Sequence, residues 1–212
     1  MSGHAGGDEA GAGRPGRDEP GRHRIFIAVP LTADVRRAAE QARRTLAVHA
    51  DRFRWVAPEH MHLTLQFLGD VTSAEVHRTV DAARDVGTSA APFAIAFAGL
   101  GAFPSTAAPR VVWVGVTGGA DRLIALAEAL RRALRTHRVP CDDRPFAPHL
   151  TLARVRGSGR PPDLRALRET FGEIALGGQR VTEMAVVESV LGSSGPTHTV
   201  VASSRLDGDP GV

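Results

Sequence analysis

The 212-residue sequence contains no lysine, no tyrosine and a single cysteine. A lone Cys141 cannot form an internal disulfide, and no set of Cys and His residues stands at the close spacing a zinc site needs. Cys141 therefore reads as a small reduced side chain of a cytosolic protein. No apolar run approaches the length that crosses a bilayer. The N-terminus lacks the apolar segment of a secretion signal, so the expected location is the cytoplasm, with no membrane partner. Without lysine, all 26 basic residues are arginine. Arginine keeps its charge to very high pH, so a net charge of only +3 still gives a pI of about 10.6. That pI alone is no argument for nucleic acid. Arginine does suit phosphate, because its planar fork bonds two oxygens at once.

Hydrophobic residues make up 42% and charged residues 23%, which excludes a wholly disordered chain and permits a core at this length. Residues 1–22 are Gly, Ala, Pro, Arg, Asp and Glu with almost nothing to bury, the composition of a disordered tail. Residues 207–212 read as a loose C-terminal tail. Between them, 23–206 form one continuous domain.

That domain opens with the apolar run Arg24-Ile-Phe-Ile-Ala-Val-Pro30, a strand stopped by proline. A helix is expected near 33–49, with Val35, Ala38, Ala39, Ala42 and Leu46 on one face. Strands follow at 53–56 and 61–69. Thr72-Ser-Ala-Glu75 is a capping box opening a helix to about Val86, and 93–98 is a further strand. A second series starts with a strand at 111–116. It continues with a helix carrying Leu123, Leu126, Ala127, Leu130, Ala133 and Leu134, and a strand at 148–155. A Gly/Pro-rich loop at 157–162 leads to a short helix with Leu164, Leu167 and Phe171 inward. Strands near 181–191 and 198–206 close the chain. Ile25 to His62 and Val111 to His149 span nearly equal distances, a spacing that suggests an internal repeat.

The same tetrapeptide occurs twice, His62-Leu-Thr-Leu65 and His149-Leu-Thr-Leu152, once in each series. Residue frequencies predict roughly 0.004 chance matches for one copy, which makes the duplication informative. Side chains alternate along a strand, so His62 and Thr64 point one way and Leu63 and Leu65 the other; His149 and Thr151 oppose Leu150 and Leu152 likewise. Leucines anchor each strand. If the halves pack with approximate two-fold symmetry, both polar faces line one cleft. Two imidazoles form an acid–base pair and two hydroxyls can donate to one phosphate. Opposed acid and base suit in-line displacement at phosphorus, with a bell-shaped pH profile near neutrality. No carboxylate-rich cluster of a two-metal phosphatase is present; neither metal nor cofactor is expected.

Other residues read less sharply. Arg154, five after His149, would point away from its face on a regular strand unless a bulge re-aims it. His60 reads as a loop-edge residue, His198 is left open, and Phe67, out of parity with His62 and Thr64, is assigned to the core.

The pair of motifs resembles the 2H phosphoesterase superfamily, and within it the bacterial RNA 2′,3′-cyclic phosphodiesterases, also called the 2′-5′ RNA ligase family. The likeness covers nearly all of 24–206. It includes Arg24-Ile-Phe-Ile-Ala-Val-Pro30, Arg54-Trp-Val56 and His62-Leu-Thr-Leu-Gln-Phe-Leu-Gly69. It continues through Gly99-Leu-Gly-Ala-Phe-Pro104, Arg110-Val-Val-Trp-Val-Gly115 and Arg144-Pro-Phe-Ala-Pro-His-Leu-Thr-Leu-Ala-Arg154. The resemblance implies an α+β, bilobal fold: two pseudo-symmetric lobes of antiparallel sheet and helix around a central cleft. It implies opening of an RNA-terminal 2′,3′-cyclic phosphate to a 2′-phosphate, with His62 as proton donor, His149 as proton acceptor, Thr64 and Thr151 on the phosphate, and Arg154 assisting. RNA ends or cyclic nucleotides would be the substrates of a monomer. Family members often carry a tyrosine near the C-terminus where this chain has His198. Two other functions stay open: 2′-5′ RNA ligation, and an RNA-end-binding module without turnover.

Overall fold

Among the described residues, nine strands form two antiparallel sheets in a computed structural model that describes residues 21–47, 53–155, 164–192 and 195–209. The first half of the chain supplies β1 (Arg22–Pro30), α1 (Ala33–Ala47), β2 (Phe53–Trp55), β3 (His62–Thr72), α2 (Ser73–Ser89) and β4 (Phe93–Phe103). The second supplies β5 (Val111–Gly118), α3 (Ala120–Thr136), β6 (His149–Val155), α4 (Arg165–Phe171), β7 (Ala175–Val181), β8 (Glu183–Gly192) and β9 (Gly195–Arg205). One sheet has the order β3-β1-β8-β9, the other β2-β6-β5-β4-β7. The fold is α+β with two lobes, as the resemblance implies. Each sheet nevertheless takes strands from both halves of the chain, so the sequence repeat and the lobes do not coincide.

The helices form where the periodicity predicts. On α1, Val35, Ala39, Ala42 and Leu46 are buried at helical spacing, and the helix lies against β7 and β2. On α3 the stripe Leu123, Leu126, Ala127, Leu130 and Leu134 is buried, and α3 packs on α2, which underlies the first sheet. The capping box is closed at both ends: the Thr72 hydroxyl accepts from the Glu75 amide, and the Glu75 carboxylate accepts from the Thr72 amide at 2.7 Å. In the α4 region, Leu164 is buried and Phe171 half-buried. The Leu167 side chain and the loop read at 157–162 lie outside the described residues.

Two expectations about the ends are corrected. β1 begins at Arg22, inside the stretch read as tail; residues 1–20 lie outside the described set. Asp207 and Gly208, read as loose, donate their amides to the carbonyls of Gly87 and Ala90 and so tie the end of β9 to α2.

Both strands that carry the repeated tetrapeptide have a β-bulge at the same place. In β3, Gln66 pairs with Ile27 and Thr64 with Ala28, leaving Leu65 extra. In β6, Ala153 pairs with Val112 and Thr151 with Trp113, leaving Leu152 extra. A bulge lets two consecutive side chains face the same way. Leu65 and Gln66 are thus both buried, as are Leu152 and Ala153. The residue after each pair returns to the histidine face. Phe67 is for that reason 41% exposed rather than in the core, with the Arg24 guanidinium 5.0 Å above its ring. Arg154, its counterpart, is likewise exposed.

Candidate active site

The leucines of the two motifs turn inward: Leu63, Leu150 and Leu152 are fully buried and Leu65 nearly so. Burying one such side chain is worth about 1.5–3 kcal/mol, which holds the opposite face of each strand outward. His62, Thr64, His149 and Thr151 lie half-buried on that face. β3 and β6 run close to each other, from different sheets. The guanidinium of Arg154 is near enough to act on both imidazoles. The bulge at Leu152 is what brings it there.

Each histidine is oriented by the carbonyl two residues before it. Nδ1 of His62 donates to the carbonyl of His60 at 2.7 Å, and Nδ1 of His149 to that of Ala147 at 2.7 Å. A carbonyl only accepts, so Nδ1 carries the proton in both rings and Nε2 is left for chemistry. His60, read as a loop-edge residue, thus serves the site through its backbone. It ends a 3-10 turn, Pro58–His60, that opens directly into β3.

The aromatic surroundings differ. His62 stacks on Phe26, with ring centroids 4.5 Å apart, and meets His198 edge-on at 5.3 Å. His198 also contacts His60 at 4.9 Å and Phe26 at 5.1 Å. His149 meets Phe103 edge-on at 5.0 Å and tilts toward Trp113 at 6.2 Å. The Trp113 ring lies across Gly101, where a Cβ would come within 2.1 Å of the indole; only glycine fits beneath it. Burial lowers the pKa of His62 to about 4, against the opposing hydrogen bond to His60, and the Coulombic effects of His198, Arg154 and His60 lower it further. Burial likewise lowers His149, with Arg154 adding to it, and lowers His198 with His60 adding to it. Of these neighbours Arg154 is the fixed cation, and its charge favours an anion beside the imidazoles.

Of the residues singled out in the sequence, His62, Thr64, His149, Thr151 and Arg154 all lie on the outward faces of β3 and β6. The sequence reading does not place Phe26, Phe103 and Trp113 around the imidazoles, and it leaves His198 open. Phe26 does stand in alternation with the core residues Ile25 and Ile27, which marks it as facing the other side. His198 reaches the site because β9 pairs with β8, with Ser189 opposite it.

The model of the family described as LigT like Phosphoesterase matches this chain twice, at residues 29–113 and 114–198. An RNA 2′,3′-cyclic phosphodiesterase of Aquifex aeolicus is 32% identical over 186 residues, covering 87% of this chain and 98% of that protein. Among solved structures, TT0787 of Thermus thermophilus superposes with a TM-score of 0.73 at 31% identity, over 88% of this chain and 99% of that one. E. coli LigT complexed with 3′-AMP gives a TM-score of 0.69 at 26% identity, over 87% of this chain and 98% of that one.

Proposed function

Since the chain belongs to the LigT-like phosphoesterase family, we propose that it hydrolyses an RNA-terminal 2′,3′-cyclic phosphate to a 2′-phosphomonoester, without a metal ion, using two histidines. The observation that carries this reading is the matched pair of imidazoles. Both donate Nδ1–H to the carbonyl two residues back, both keep Nε2 available, and one arginine acts on both. The name of the Aquifex relative and the 3′-AMP bound to E. coli LigT support the choice of substrate.

In this mechanism Nε2 of His149 takes a proton from water as the water oxygen bonds to phosphorus. The P–O3′ bond breaks with its electron pair staying on O3′, and His62 delivers a proton to that oxygen. The product keeps its phosphate on O2′. Thr64 and Thr151 donate to the non-bridging oxygens, and Arg154 offsets the growing negative charge. His62 with a pKa of about 4 is neutral in the empty site at pH 7. A bound phosphate anion raises that value by direct attraction. Substrate therefore arrives with uptake of the proton that His62 later gives away.

The test is turnover of a nucleoside 2′,3′-cyclic phosphate in EDTA. A 2′-phosphate product formed at an unchanged rate is expected. Loss of activity in EDTA with recovery on a divalent ion would refute the metal-free mechanism, and binding without turnover would favour an end-binding module. Ligation is the reverse use of the same groups; formation of a 2′-5′ linkage from RNA ends in place of hydrolysis would favour it.

A further inference from the structure

Arg54 and Arg154 stand directly opposite each other where β2 pairs with β6. Cross-strand partners leave the same face of a sheet, with Cβ atoms about 5 Å apart. Arg54 therefore shares with Arg154 the face that carries His149 and Thr151. Like charges in this position repel, yet neither arginine has a carboxylate partner among the described residues. Some other arginines are paired, Arg43 and Arg44 with Glu40, Arg135 with Asp143 and Arg144 with Asp142, but those do not face a like charge across two strands. An anionic ligand would offset the repulsion between these two facing guanidinium groups.

The reach of Arg54 indicates where that anion sits. Its guanidinium approaches the first sheet at the start of β9, where a Cβ on Gly195 would lie 3.1 Å from Arg54 Nη2. His198, three residues along β9, faces His60 and His62. Arg154 is near enough to act on both motif histidines and, in the proposed reaction, contacts the phosphate being opened. Arg54 lies one strand further out, beside the same cleft, and is not among the charges that shift either imidazole. Successive phosphates of a nucleotide chain are separated by one nucleoside. Two long side chains fanning out from adjacent backbone positions suit that separation.

We propose that Arg54 binds a second phosphate of the substrate, the one on the 5′ side of the nucleotide whose 2′,3′-cyclic phosphate is opened. The site would then select phosphate-bearing nucleotide ends over nucleoside cyclic phosphates with a free 5′-hydroxyl. The inference rests on the proposed reaction for the identity of the first phosphate. The guanidinium fork makes this a bidentate contact that lysine would reproduce only in part.

Three substrates test it: a nucleoside 2′,3′-cyclic phosphate, the same compound with a 5′-phosphate, and a dinucleotide with a terminal cyclic phosphate. The expected kcat/KM favours the second and third by on the order of 10- to 100-fold, as for a charge-assisted contact, with the preference shrinking as salt rises. Arg54→Gln should bring the ratio close to one, and Arg54→Lys should keep part of it. Preference for both phosphate-bearing substrates identifies the RNA chain as the source. Preference for the 5′-phosphate alone identifies a free nucleotide, and either result supports a second-phosphate site. A wild-type ratio of one, or an Arg54→Gln enzyme that loses activity equally on all three, would overturn it. Calorimetric binding of a nucleoside 2′-phosphate against the 2′,5′-bisphosphate gives the same comparison without turnover. If none of the three substrates is hydrolysed, the proposed reaction fails. The bisphosphate preference, lost or kept in Arg54→Gln, still decides the second site.

Discussion

Phe26 lies face to face with His62, their ring planes 21° from parallel. Identical tetrapeptides thus place two imidazoles in unlike surroundings, because His149 meets its neighbouring rings edge-on or tilted. The stacked phenyl excludes water from one side of His62, and burial is the largest cause of its lowered pKa. Phe26→Ala should let water in and move the His62 titration up from about 4 toward the usual 6.5, as followed by NMR. A ring that still titrates near 4 in the variant would show that water is excluded by other groups.

His62→Ala and His149→Ala should each lower kcat by roughly 10²–10⁴, the scale of losing a general acid or base. Folding should persist, since the leucines of both strands provide the burial. Wild-type turnover by either variant, measured on a purified and folded sample, would remove that histidine from the mechanism.

The pH dependence should depart from the near-neutral expectation. Free-enzyme values of about 4 for His62 and below 6.5 for His149 place the kcat/KM bell on the acid side of neutrality. Its limbs belong to the pair. The kcat profile, set in the phosphate-bound state, should lie at higher pH. Coincident profiles centred above pH 7 would contradict the anion-linked protonation of His62.

Stability should follow the same shift. The unfolded chain binds a proton at His62 below about 6.5 and the folded chain only below about 4. Folding stability is therefore lost as pH falls from 6.5 to 4, by up to about 3 kcal/mol, and levels off below. Denaturant titrations of His62→Gln against wild type should show that increment disappear. Equal acid sensitivity of the two proteins would place the linkage elsewhere.

Thr64→Val and Thr151→Val keep shape and delete the hydroxyls that the proposed mechanism places on the phosphate. A hydrogen bond to a charged group is worth about 1.5–3 kcal/mol, so each should cost about 10- to 100-fold in kcat/KM. Thr→Ser should be tolerated. The pH limbs should stay in place, because acid and base are intact. Full activity of both Val variants would separate the hydroxyls from the phosphate.

Most of the helices and the motif strands are legible in the sequence because their patterns are local. The α1 and α3 stripes and the Thr72 capping box depend on residues within a few positions of each other. β7 is not among the strands read from the sequence, because Gly177-Gly178 in its middle carry no side chains to show an alternation. Gly178 is there because β4 runs so near that a Cβ would sit 2.5 Å from the Ile95 carbonyl oxygen. Alternation puts Phe67 in the core and leaves Arg154 open for one reason: it fails at a bulge, and the bulge is visible only in the pairing with β1 and β5. His198 and Arg54 depend on contacts between distant strands, which no local pattern encodes.

The two matches to the family model meet between residues 113 and 114, inside β5. A cut there would strand β1 and β3 without β8 and β9, and β2 without β6. The two halves are laced together like crossed fingers, each completing the sheet the other begins. The chain also passes between the two sheets four times, at β1–β2, β2–β3, β3–β4 and β7–β8, so a relative movement of the sheets would have to be taken up by four connections together. His62 and His149 stand on strands of different sheets, so their separation is set by how the two sheets pack, with β3 against β6, and not by pairing within one sheet.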